Sequence, residues 1–256
     1  MTDMPLKVSL ERGGQLLELR LARPKANIID ATMIHALDSA LAEHAGKDSL
    51  KAVLLSAEGP HFSFGASVEE HLPDQCAAML KSFHQLILRI VDSPVPILVA
   101  VHGQCLGGGL EVAAAAHLIF AGSDVNMGQP EIKLGVFAPA ASCLLPMRIG
   151  QARAEELLLS GRSIDAEEAY RIGLVNSIDD DPVAAALAWF DQHLAPLSAV
   201  SLRHATAAVR GGVRAQVQQR LAELETLYLG KLMQTNDAVE GLTAFIARRT
   251  PVWERG

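Results

Sequence analysis

The 256-residue chain is half hydrophobic and one-fifth charged, the proportions of a soluble globular protein long enough to bury a sizeable core. Its formal charge of −7, with no run of lysines or arginines, argues against nucleic acid or anionic membrane as a partner, so an anionic ligand would have to be held by local cations. Three scattered cysteines, Cys76, Cys105 and Cys143, form no Cys-x-x-Cys pair, which points away from disulfides or a cysteine zinc site and toward a reducing compartment. The first residues carry no apolar signal segment and no stretch approaches the ~18 apolar residues that span a bilayer, so the expected location is the cytoplasm.

Residues 7–10 and 15–21 flank Glu11-Arg12-Gly13-Gly14 and read as a hairpin, with Leu17, Leu19 and Leu21 on one face. Asp30 caps an expected helix whose Met33, Ile34, Leu37 and Leu41 recur at helical spacing until Gly46. A strand at 52–56, a loop at 59–66, a helix at 77–90, a strand at 95–101, a helix at 110–117 and a strand at 118–121 follow. This β-α-β-α rhythm with near-continuous apolar strands predicts an α/β fold whose sheet is largely parallel and covered on both faces. From residue 152 the pattern turns helical, at 152–159, 165–172, 182–194, 198–209 and 214–235. In the last of these, Val217, Leu221, Leu224, Leu227, Tyr228 and Leu232 form an apolar stripe that needs a partner surface, expected to be another subunit.

The densest signal is His102-Gly103-Gln104-Cys105-Leu106-Gly107-Gly108-Gly109-Leu110-Glu111, followed twenty residues later by Glu131 in Gly128-Gln129-Pro130-Glu131. Three glycines between a buried strand and an alanine-rich helix leave bare N–H groups at a positively polarised helix start, a place for a developing oxyanion. Alone, a triple glycine there is more often a packing device, and a lone glutamate near a helix start more often a dipole partner. Together with a second carboxylate they supply the proton transfers an oxyanion intermediate needs. The small apolar neighbours of Glu111, Leu110 and Val112 to Ala116, favour a buried carboxylate. Cys105 reads as a core residue, and His61, His71, His84 and His102 lack metal-ligand spacing, so no metal site is expected.

These segments resemble the signature of the crotonase (enoyl-CoA hydratase/isomerase) superfamily, and the resemblance runs nearly end to end. Arg23-Pro24-Lys25-Ala26-Asn27 is similar to the family's early acyl-CoA loop, and Phe62-Ser63-Phe64-Gly65-Ala66-Ser67 to its first oxyanion loop. Ser160-Gly161-Arg162-Ser163-Ile164-Asp165-Ala166, Gly173-Leu174-Val175 and Glu240-Gly241-Leu242-Thr243-Ala244-Phe245 follow in family order. The resemblance implies a (ββα)n spiral core over residues 1–195 and a helical trimerisation region over 196–256, giving a homotrimer or a dimer of trimers. It implies an oxyanion hole from the amides of Ala66 and Gly108, with Glu111 and Glu131 as the acid–base pair. Lys25, Ala26, Gly65, Ser67, Gly107, Phe137 and Pro139 are the implied substrate contacts. The partner is then an acyl-CoA thioester, and no separate cofactor is called for.

Two departures narrow the substrate. The first oxyanion loop carries Phe64 before its glycine and Ser67 where the family usually has aspartate. After Glu131 the family's glycine-rich stretch is replaced by Val136-Phe137-Ala138-Pro139-Ala140-Ala141-Ser142. A stiff wall of this kind suits a compact ring, and with Asn27-Ile28-Ile29-Asp30-Ala31-Thr32-Met33-Ile34 it resembles the branch that hydrates cyclic dienoyl thioesters. A general enoyl-CoA hydratase or a double-bond isomerase would use the same residues. An RNA-binding relative is disfavoured by the acidic balance, and a non-catalytic CoA-binding scaffold by the two glutamates.

Overall fold

The structure is a computed structural model that describes residues 4–254. The hairpin forms as β1 (Leu6–Glu11) and β2 (Leu16–Leu21), antiparallel, and β2 then pairs in parallel with β3 (Ala52–Ala57). Parallel pairing continues through β4 (Ile97–Val101), β6 (Leu118–Gly122) and β9 (Ser177–Asp179), giving the order β1-β2-β3-β4-β6-β9. Alternation along β4 explains its unbroken apolar run: Ile97, Val99 and Val101 join the main core, while Leu98 and Ala100 join a smaller one on the opposite face.

Helix α1 (Ala31–His44), capped by the Asp30 carboxylate on the Met33 amide at 2.9 Å, and α2 (Cys76–Val91) supply the main core, as does α3 (Gly108–Ala115). Helix α7 (Pro182–His193) closes the other face with Ala186 and Phe190, and Leu202 of α8 (Ala199–Val209) joins it there. The sheet is therefore covered on both sides, as the apolar pattern requires.

A second sheet escaped the sequence reading because its strands have three residues each: β5 (Gln104–Leu106), β7 (Asn126–Gly128) and β8 (Ser163–Asp165). β5 and β7 run parallel with Leu106 opposite Gly128, and the Gly107 amide donates to the Gly128 carbonyl at 2.9 Å. Both strands thus end at one place, and the residues that follow them, Gly107 to Glu111 and Gln129 to Glu131, are delivered together.

Several expectations are corrected. Residues 139–149 form helix α4 (Pro139–Ile149), with Pro139 at its first turn, where a missing N–H costs nothing. Helix α5 (Gln151–Ser160) follows, and α6 (Ala166–Arg171) comes after β8. Helix α9 (Val213–Gly230) stops at Gly230 instead of running to 235, and α10 (Asn236–Ile246) adds a helix the apolar pattern did not reveal. Most of the α9 stripe is covered within its own chain: Val217, Leu221, Leu224 and Tyr228 are buried against α2 and α4, in the main core, while Leu227 stays 43% exposed.

Candidate active site

The site is assembled where three backbone segments meet. Residues 62–64 are stitched alongside β5, with the Ser63 amide donating to the Gln104 carbonyl at 2.9 Å and the Leu106 amide donating to the Ser63 carbonyl at 3.0 Å. The buried Ser63 hydroxyl donates to the Asn27 carbonyl at 2.8 Å and accepts from the Gly65 amide at 3.0 Å, fixing the loop that carries Ala66. Gly65 needs its glycine, since its φ is +107 and a methyl there would lie 3.1 Å from the Leu106 carbonyl oxygen. Among the described residues neither the Ala66 nor the Gly108 amide has a backbone partner. A Cβ on Gly108 would sit 3.0 Å from the Ala66 nitrogen and 3.1 Å from its Cβ, so a side chain there would push the two segments apart.

Every residue of α3 is buried, and Gly108, its first residue, is one of the two converging donors. At the far end Arg148 Nε donates to the Ala114 carbonyl and Arg210 to the Ala116 carbonyl, each at 2.6 Å. Cations at the negative end of the helix dipole stabilise the element whose positive end carries the Gly108 amide.

Glu111, one turn into α3, is 4% exposed, and its Oε1 accepts from the Ala141 amide at 2.8 Å. Burial raises its pKa to about 7 against the lowering pull of the Ala141 and Ala140 amides. Glu131 stands on the turn Pro130–Leu134, and its carboxyl would be 2.6 Å from a Cβ on Gly107, where φ is +49. Burial, and then the Glu111 charge, raises its pKa to about 8. The two carboxyls feel one another and titrate as a pair.

Both carboxyls line a cavity of about 700 Å³, into which Gly65, Ala66, Ser67, Gly107 and Gly108 also open. Phe137 and Pro139 form part of its wall, as expected, together with Val136 and Ala138. The rest of the foreseen wall does other work: the Ala140 and Ala141 amides hold Glu111, and Ser142 faces away from this cavity. Phe137 is backed edge-on by Tyr228, with centroids 5.1 Å apart at 67°, so α9 stiffens the wall. Lys25 and Ala26 are not brought to this cavity: Lys25 is exposed, and the Ala26 carbonyl accepts from the Phe64 amide at 2.9 Å.

The sequence reading passed over residues that the fold brings in. Gln129 is buried, and with its amide nitrogen turned toward Glu131 it donates to both carboxyl oxygens, at 3.1 and 3.0 Å. Met79, Leu80 and Phe83 of α2 and Leu242 and Phe245 of α10 also line the cavity, through tertiary packing that no local pattern announces. Cys105 is buried with its thiol pushed upward, and His61 and His102 are engaged with the Gln104 amide and the Gly59 carbonyl.

The enoyl-CoA hydratase/isomerase family model matches residues 11–256. A cyclohexa-1,5-dienecarbonyl-CoA hydratase of Thauera aromatica is 64% identical, across 98% of this chain and 97% of that protein. A probable enoyl-CoA hydratase of Bacillus subtilis (strain 168) is 31% identical, across 91% of this chain and 93% of that one. Among solved structures, an enoyl-CoA hydratase/isomerase from Pseudoalteromonas atlantica T6c superposes with a TM-score of 0.84 at 29% identity, covering 98% of this chain and all of that one.

Proposed function

This chain belongs to the enoyl-CoA hydratase/isomerase family, and from that premise we propose that it adds water to cyclohexa-1,5-diene-1-carbonyl-CoA to give 6-hydroxycyclohex-1-ene-1-carbonyl-CoA. The observation that carries this reading is the 64% identity, over nearly the whole of both chains, with the T. aromatica hydratase. The thioester carbonyl oxygen rests between the amides of Ala66 and Gly108, where the enolate charge develops. Each such donor lowers the barrier by about 3 kcal/mol.

Water lies between Glu111 and Glu131. One carboxylate takes a proton as the water oxygen bonds to the carbon β to the thioester. The displaced electron pair passes through the enolate into the second double bond, whose far carbon takes a proton from the other carboxyl. The product keeps one double bond, conjugated with the carbonyl. Raised pKa values on both groups suit this division, because one must start protonated and the other ionised near neutral pH. The coenzyme A is part of the substrate, and these steps need no further cofactor. Gly65, Ser67, Gly107, Phe137 and Pro139 are assigned to substrate contact, with the stiff Phe137–Tyr228 pair selecting for a compact ring.

The protein further acts as a homotrimer or dimer of trimers in the cytoplasm, with residues 196–256 added to a catalytic core of 1–195. Since most of the α9 stripe is covered internally, the support for assembly is a different surface: Leu197, Val200 and Val209 around α8 and Phe245 on α10 are exposed apolar residues of that region. A thioester panel tests the substrate. The cyclic dienoyl-CoA should turn over with a kcat/KM at least about tenfold above crotonyl-CoA, and the reverse ranking would return the protein to the general hydratases.

A further inference from the structure

Glu131 faces two cavities. Besides the acyl cavity, a second hollow of about 230 Å³ lies on its other side, between the turn Pro130–Leu134, α4 and α5. Gln129, Glu131, Phe137 and Ala138 line it, and the exposed Gln151, Glu155 and Arg220 stand around it toward solvent. Glu131, Phe137 and Ala138 line both spaces, so a single layer of side chains divides them. The rear hollow has no signature in the sequence, because the packing of α4 against α5 and the turn Pro130–Leu134 creates it.

The proposed reaction gives this second space a task. A thioester seated in the acyl cavity occupies the room in front of Glu131. In each turnover one carboxylate gains the proton of the attacking water and the other carboxyl loses a proton to carbon. Glu131 therefore ends one proton richer or poorer than it began, whichever role it takes. Its starting state returns when a proton passes to or from it, through the partner carboxyl once the product has left or, with ligand still bound, through water. Hydronium can deliver one to the carboxylate, leaving water, or water can remove one from the acid, leaving hydronium, and no other reactant is needed.

We propose that the cavity behind Glu131 is a solvent route, by which water reaches this carboxyl and its proton exchanges with bulk while the thioester stays bound. At about 230 Å³ the hollow far exceeds the ~10–15 Å³ that one water needs. Its lining offers them partners in Gln129, Ser142, Gln151, Glu155 and Arg220, whereas Phe83, Met79 and Val136 make much of the acyl wall apolar. Gln129 stands at the neck, its amide on both Glu131 oxygens, and holds the carboxyl where the two spaces meet. It is a positioning residue for this exchange.

The inference rests on the hydratase reading, and the experiment separates the two. Ser142→Leu and Leu158→Phe each fill the rear cavity from residues that do not line the acyl cavity. Product deuterated at the transferred position is cycled through dehydration and rehydration in H2O, and the deuterium retained in recovered product is measured. With Glu131 as the carboxyl that exchanges a proton with carbon, filling the route should lower kcat by about fivefold or more with the thioester KM unchanged, and raise retained deuterium several-fold, because the abstracted label returns before it exchanges. Folded variants with wild-type kcat and retention overturn the route. If overpacking unfolds both, the unmodified protein decides: saturated with the fully reduced ring thioester and mixed into D2O, the Glu131 carboxyl infrared band should shift while ligand is still bound. A shift that waits for ligand release overturns the route. Wild-type protein that hydrates no enoyl thioester overturns the hydratase reading instead.

Discussion

At the scale of single residues, Glu111 and Glu131 differ from surface glutamates in that burial, not a charged partner, governs their ionisation. Replacing either by Gln keeps the shape but removes the titrating proton. Turnover should fall at least ~10²-fold in Glu111→Gln and in Glu131→Gln, with thioester affinity nearly unchanged in a binding titration. Near-normal turnover in Glu131→Gln would remove that residue from the chemistry. The same pKa shifts predict a stability effect of definite sign. Both carboxyls bind protons more tightly folded than unfolded, so the native state is penalised as pH rises from about 4.5, the ordinary value, through about 7 and about 8. The two Gln variants should therefore melt increasingly above wild type between pH 5 and pH 9, and a gain that shrinks over that range would contradict the assignment. The triple glycine and Glu111 were legible in the sequence because glycine spacing and an isolated acid in apolar surroundings are local features, whereas Ala66 and Glu131 were picked out by family resemblance. Gln129 was not, because an amide beside a proline has no local property that distinguishes a carboxylate's partner from a turn residue.

At the scale of elements, the long helices and strands were legible because their apolar periodicity reflects the faces they bury, as β4 and α2 illustrate. The three-residue strands β5, β7 and β8 are too short to show a period, although their shared ending places the site. α4 was missed for another reason: Pro139 and Pro146 mark a breaker by composition, yet Pro139 sits at the first turn and leaves the helix intact. The α9 stripe gave the right face and the wrong partner, since sequence shows that a surface must be covered and not what covers it. Leu221, 2% exposed against the core of its own chain, turns this into a measurement. Leu221→Ala should cost about 2–5 kcal/mol in denaturant unfolding, with a penalty that does not change on dilution. A penalty that grows on dilution would return the stripe to a subunit interface.

At the scale of the whole molecule, α10 links the C-terminal region to the chemistry, since Leu242 and Phe245 line the acyl cavity beside Val136 and Phe137. Assembly through the exposed apolar residues of α8 and α10 would hold that wall in place. Light scattering at micromolar concentration should give three or six times the chain mass of 27.3 kDa, and a monomer would contradict the proposal. In the proposed reaction a buried and a half-buried carboxyl, with a converging pair of amides, direct water across a ring diene. Turnover of cyclohexa-1,5-diene-1-carbonyl-CoA in D2O, followed by NMR of the product, tests it most directly. The product should carry a hydroxyl on the carbon β to the thioester, deuterium at the far end of the diene, and one double bond conjugated with the carbonyl. Deuterium on the α carbon, with the second double bond unmoved, would contradict it.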